Sequence, residues 1–143
     1  MVAREDRRRR GRRARLSPVS SHSATIVRVY GDPGRREDEY RVLIDRLWPR
    51  GVRKDLLDYD DWLKDVAPSA ALRTWYAHDV ARFEEFARRY RAELAGGPAS
   101  DVLAELRRQR QRRRVVLLTA TKDVAHSGAS VLLDALLDDR HGR

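Results

Sequence analysis

A run of aliphatic residues, Val42, Leu43 and Ile44, leads straight into Asp45, Arg46, Trp48 and Arg50, with Pro49 and Gly51 among them. The aliphatic run reads as a strand covered on both faces, and proline and glycine then stop it and turn the chain. Open α/β sheets hold ligands at the C-terminal ends of their strands, so these charges stand where chemistry is expected. Asp45 can move a proton, the arginines can hold an anion, and Trp48 can close over it. A structural ion pair between Asp45 and an arginine, with Trp48 covering the core, is the competing reading.

A second such place follows residues 115–119, VVLLT, where Thr119, Thr121, Lys122, Asp123 and His126 lie just before or within the start of a helix. Free backbone N–H groups at a helix start favour a phosphate or carboxylate, and Lys122 adds a cation. Asp123 and His126, three apart, would be neighbours on a helix, fit to act as an acid–base pair or as two metal ligands. If the two strands are parallel neighbours, their loops share one edge of the sheet. An anion-accepting cleft then forms in which Arg50 and Lys122 hold the ligand and Arg46 pairs with Asp45 or with the ligand. Asp45, Asp123 or His126 is the catalytic group of that scheme, and Lys54 stands nearby in sequence.

Composition narrows the chemistry. The 143 residues contain no cysteine, which excludes disulfides, thiolate nucleophiles and sulfur-ligated zinc. The four histidines, at 22, 78, 126 and 141, lack the paired spacing of a zinc-binding helix, so no metal is assigned. Neither loop has the glycine spacing of a phosphate-binding loop or a dinucleotide fingerprint, and no cofactor is indicated. No apolar run approaches the ~18 residues of a membrane span, and no signal-like segment opens the chain, so a cytosolic protein without a membrane partner is expected.

The elements that must position these groups follow from periodicity. Residues 24–30 alternate as a strand, and 31–39 form a turn-rich loop into a second strand over 40–48, the pair being either a long-looped hairpin or parallel neighbours. From Tyr59 the pattern is helical for some fifty residues: Trp62, Leu63 and Val66 mark a first short helix, interrupted by Pro68. Ser69 caps a helix over 70–76, and Asp79 caps the next, with Val80, Phe83, Ala87, Tyr90 and Leu94 on its apolar face. Gly96, Gly97 and Pro98 end that helix and Ser100 opens another. Residues 115–119 form the last strand, and Val131, Leu132, Leu133, Leu136 and Leu137 mark the last helix. The sum is an α/β fold with a small, mainly parallel sheet and helices packed on it, in a single domain over 24–140.

The formal net charge of +9 is unevenly placed, because residues 1–23 carry eight arginines against Glu5 and Asp6. That Arg-rich tail is too poor in apolar residues to fold by itself and reads as disordered, or as the product of a start codon set too early. It could hold nucleic acid through counterion release, as could the six arginines within 107–114, whose first duty at a helix C-terminus is to suit the macrodipole. The leading reading is a protein with an anion-binding cleft that takes a phosphorylated or carboxylated small molecule, as an enzyme or otherwise; the runner-up is a nucleic-acid-associated or regulatory module that uses these arginines, and the third a noncatalytic partner-binding protein.

Four stretches in order carry a family resemblance: RVYGDP at 28–33, YRVLIDRLWPRG at 40–51, the APS, ALR, W and HD residues of 67–79 continuing into FEEFARRYRAEL at 83–94, and LLTATKD at 117–123 followed by His126, Ala129 and Leu132. In these the chain resembles the family of domain of unknown function 488, in its short YeaO-like branch. The resemblance implies a small bacterial or archaeal α/β protein and no particular reaction. Its shared polar residues fall here on Asp45, Arg46, Arg50, Lys64, Ser69, Arg73, Lys122 and Asp123, with Trp48, Pro49, Gly51 and Pro68 shaping the chain. Ser127 stands where relatives commonly carry asparagine, and Val80 where proline is common.

Overall fold

The computed structural model describes residues 23–36 and 38–138, so residues 1–22 of the Arg-rich segment lie outside the described residues. Four strands, β1 (Ala24–Arg28), β2 (Glu39–Leu43), β3 (Asp61–Trp62) and β4 (Arg114–Thr119), form one sheet in the order β1-β4-β2-β3, every pair parallel. Four α-helices accompany it: α1 (Ala70–Tyr76), α2 (Phe83–Leu94), α3 (Gly97–Arg110) and α4 (Gly128–Leu137). Among the described residues no helix is long and apolar enough to cross a membrane.

The aliphatic strands occupy the middle of the sheet because only there are both faces covered. On one face Tyr40, Val42, Val115 and Leu117 pack with Leu72 of α1, Phe86 and Tyr90 of α2, Leu103 and Leu106 of α3, and Leu132 and Leu136 of α4. On the other, Leu43, Val116 and Leu118 pack with Val29 and Leu57 under a lid of Trp48, Val52, Tyr59 and Trp62. Neighbouring residues thus point to opposite cores, as the period of two requires.

Several expectations are corrected. The first two strands are neither a hairpin nor neighbours: β4 lies between them, pairing Ala24 with Val115 on one side and Glu39 with Arg114 on the other. The strand expected over 40–48 has its ladder over Glu39–Leu43, and Trp62 belongs to edge strand β3, beside Leu43, rather than to a helix. Only a 3₁₀ turn, Lys64–Val66, remains of that helix. Val80 is 49% exposed in a 3₁₀ turn ahead of α2, whose buried face is instead Phe86, Ala87, Tyr90 and Leu94. Gly97 and Pro98 begin α3 instead of separating it from α2, because proline suits a first helical turn. The cap at Ser69 forms as expected, accepting from the N–H of Leu72, whereas Asp79 accepts from Ala81 and so caps the 3₁₀ turn Val80–Arg82 instead of α2.

One buried charge in β2 secures the polar end of the sheet. Arg41 is 1% exposed, and its guanidinium pairs with Asp32 and Glu39 while Nε donates to the carbonyl of Asp58 at 2.6 Å. Its backbone N–H donates to Asp60 at 2.8 Å, and Arg35 bridges Asp58 and Asp60. Arg35 holds the Asp58 carboxyl below the usual carboxylate range. Such a network satisfies a charge that would otherwise be costly to bury, and it ties the 29–38 connection to the loop before β3.

Candidate functional site

The C-terminal ends of β2 and β4 lie side by side, and Asp45 joins them. Its carboxylate accepts from the Thr119 hydroxyl at 2.7 Å and from the Ala120 N–H at 2.8 Å. Burial raises its pKa above the ordinary aspartate value, against the opposing pull of those two hydrogen bonds. The two loops singled out in the sequence therefore meet at one edge of the sheet. Between them, α1, α2 and the start of α4 lies a cleft of about 780 Å³, a volume typical of small-molecule sites.

Three arginines border the cleft: Arg46 and Arg50 from the loop after β2, and Arg73 from α1. Arg50 and Arg73 are exposed. Arg46 is part-buried and does not pair with Asp45; one of its terminal nitrogens donates to the carbonyls of Ala67 at 3.4 Å and Pro68 at 3.3 Å, and its buried Nε has no hydrogen-bond partner among the described residues. Ser127, Gly128 and Ala129 also line the cleft and present the start of α4, which has no side-chain cap; the Ser127 hydroxyl donates to the carbonyl of Val124 instead. An uncapped first turn leaves backbone N–H groups and the positive end of the helix dipole available.

The walls come from residues the core needs anyway. Phe86 and Tyr90 of α2 and Tyr76 of α1 line the cleft, Tyr76 stacking on Phe86 at 4.2 Å. Burial pushes the Tyr90 phenol up, with Glu93 adding and Arg46 opposing. Trp48 lines the opposite rim while packing against Tyr59 and Trp62, so it serves the cleft and the smaller core together.

Not every expected residue reaches this cleft. Lys122, Asp123, His126, Lys64 and Ser69 do not line it, whereas Thr121 does. Asp123 and His126 do come together, with Oδ2 and Nδ1 2.9 Å apart, but on a 3₁₀ turn (Val124–His126) where the His126 ring meets Phe83 edge-on. Lys64 lies 4.1 Å over the ring of Trp62. Ser69 uses its hydroxyl twice, accepting from Leu72 and donating to Glu93 at 2.6 Å. Sequence reasoning missed His78 and the backbone of 127–129. His78 follows Ala77 in the left-handed region, at φ 57° and 48°, and this brings its ring to the cleft. Nothing in the residue types announces such a pair of left-handed residues, which glycine or asparagine more often supplies.

Comparison with known proteins places this geometry in a lineage. No solved structure matches the chain. An uncharacterised protein of Mycobacterium tuberculosis strain H37Rv is 50% identical over 111 residues, covering 78% of this chain and 91% of the relative. The uncharacterised protein YeaO of Escherichia coli K12 is 38% identical over 114 residues, covering 76% of this chain and 92% of its own length. The family model described as the inactive DUF488-N3 subclade matches residues 24–142, so the chain belongs to that YeaO-like branch of the DUF488 family.

Proposed function

We propose that the protein is a non-catalytic receptor for a small anionic molecule, a phosphate or carboxylate held in the cleft that the Asp45–Arg50 and Thr119–Thr121 segments border with the start of α4. The observation that carries this reading is Arg46. A part-buried guanidinium that pairs with no carboxylate among the described residues and leaves one buried N–H unused gains most when an anion completes it. Arg50, Arg73 and the first turn of α4 add positive potential along the same cleft.

Turnover finds less support than binding. Both oxygens of Asp45 are engaged by Thr119 and Ala120, and the Asp123–His126 pair stands outside the cleft. A general base must reach the proton that it takes, and these engagements favour binding over proton transfer. The family's description as an inactive subclade fits the same reading. The nucleic-acid alternative is weaker in the 107–114 cluster, where Arg107 donates to the carbonyl of Ala135, Arg108 pairs with Glu105 and Arg113 lies over Tyr40.

Thermal unfolding with phosphate and with simple phosphomonoesters and carboxylates tests the proposal. A ligand present at a hundred times its Kd adds about 2.7 kcal/mol of stability. That gain should shrink in Arg73→Ala and in Arg50→Ala, two exposed positions where truncation leaves the fold intact. No stabilisation by any anion, or undiminished stabilisation in both variants, would remove the proposal.

A further inference from the structure

Resting on the reading of the cleft as an anion site, we infer that its ligand carries the anion on an apolar, preferably aromatic, body and not on a polyhydroxylated sugar. The hydrogen-bonding inventory of the walls decides this. Six of the polar side chains that line the cleft give their single proton elsewhere, which leaves Thr74, His78 and Thr121 as its neutral groups without a side-chain bond among the described residues. Tyr30 donates to the carbonyl of Arg50 at 2.8 Å, Trp48 to that of Val52 at 2.6 Å, and Tyr76 to that of His126 at 2.6 Å. Tyr90 donates to the carbonyl of Val66, Ser127 to that of Val124 at 2.7 Å, and Thr119 to the carboxylate of Asp45 at 2.7 Å. Asp45, the one carboxylate on the lining, already accepts two bonds.

What these walls offer a ligand body is surface: Ile44, Leu47, Pro49, Pro68 and Phe86, with the faces of the tyrosine rings. The donors that remain uncommitted among the described residues are mostly the N–H groups of Arg46, Arg50 and Arg73, with the Thr74 and Thr121 hydroxyls and the His78 ring as the few neutral ones. A sugar phosphate would anchor its phosphate and then bury several hydroxyl groups against walls that offer more apolar surface than hydrogen-bond partners, so most of them would lose water without full replacement. An aryl phosphate or aryl carboxylate loses nothing there, and its ring gains contact with aromatic and proline faces.

The test measures binding of phenyl phosphate, ribose 5-phosphate and inorganic phosphate to the full chain by calorimetry. Phenyl phosphate is expected to bind about tenfold or more tightly than ribose 5-phosphate, since unpaired hydroxyls are penalised and apolar contact is rewarded. The variant Leu47→Ser, at a rim position 71% exposed and so safe for folding, should weaken phenyl phosphate severalfold and leave inorganic phosphate unchanged. Ribose 5-phosphate binding as tightly as phenyl phosphate, or Leu47→Ser weakening neither, overturns the inference while the anion site stands. Absence of binding by all three overturns the anion site and the inference with it.

Discussion

Asp45 is the residue on which the geometry of the cleft turns, since its carboxylate is the acceptor for a side chain and a backbone group of β4's end at once. Truncation in Asp45→Ala strands the Thr119 hydroxyl and the Ala120 N–H, at a cost of about 1–3 kcal/mol for buried donors left unpaired. The cost depends on pH. Burial lifts the folded-state pKa of Asp45 above its unfolded value, so its contribution is fully present below the unfolded pKa and declines as pH rises through the folded one. Denaturant unfolding of both proteins across that acid range should show the penalty of the substitution shrinking with rising pH; a neutral or stabilising Asp45→Ala would show that the clamp is not structural. The type and position of Asp45 were legible in the sequence, because it ends an aliphatic strand. Its partner was not, since Thr119 lies 74 positions further along and only the order of strands brings it near. The same holds for Arg46, whose charge was visible but whose carbonyl partners at 67 and 68 belong to another segment.

At the level of elements, the start of α4 is where packing and site compete for the same space. A Cβ on Gly128 would lie 3.1 Å from Cγ of Pro68 and 3.4 Å from Cε2 of Tyr90. The ring of Pro68 cannot swing aside, and Tyr90 is held by its hydrogen bond to Val66 within the core. Gly128→Ala should therefore cost about 1 kcal/mol or more, with overpacking outweighing the better helix propensity of alanine. A thermal midpoint at or above that of the unchanged protein would mean that α4 slides outward without penalty. Strong local signals survived into the fold: the Ser69 cap, the 115–119 strand and the amphipathic second helix are where their residues put them. Weak ones did not. Trp62, Leu63 and Val66 have helical spacing, yet β2 supplies an open edge, and Trp62 instead pairs beside Leu43 and sends its indole N–H to the carbonyl of Asp45 at 2.7 Å. That choice is made by a tertiary partner, which no window of local sequence contains.

Taken as a whole, the molecule divides its charge into two populations with different duties. Among the described residues, arginines are largely engaged: Arg41 and Arg35 in the network that ties the segment before β2 to the loop before β3, and Arg88, Arg89 and Arg108 in pairs along the helices. Arg46, with its unused Nε, and the exposed Arg50 and Arg73 border the cleft instead. The segment 1–22, by contrast, concentrates eight of the 28 arginines with two acidic residues, which gives it six of the nine net positive charges. Association with a polyanion follows such uncompensated charge and weakens steeply with salt, whereas a small-ligand site inside a cleft is much less screened. The two activities should then separate physically. Removal of residues 1–22 is expected to abolish salt-sensitive retention on DNA or RNA while leaving the ligand-induced rise in thermal stability unchanged, because the match to the family begins only at residue 24. Substituting Arg112 and Arg114 together with alanine should change neither. Retention that persists after the truncation and falls in the double variant would instead put the polyanion-binding surface at the end of α3, on the folded domain itself.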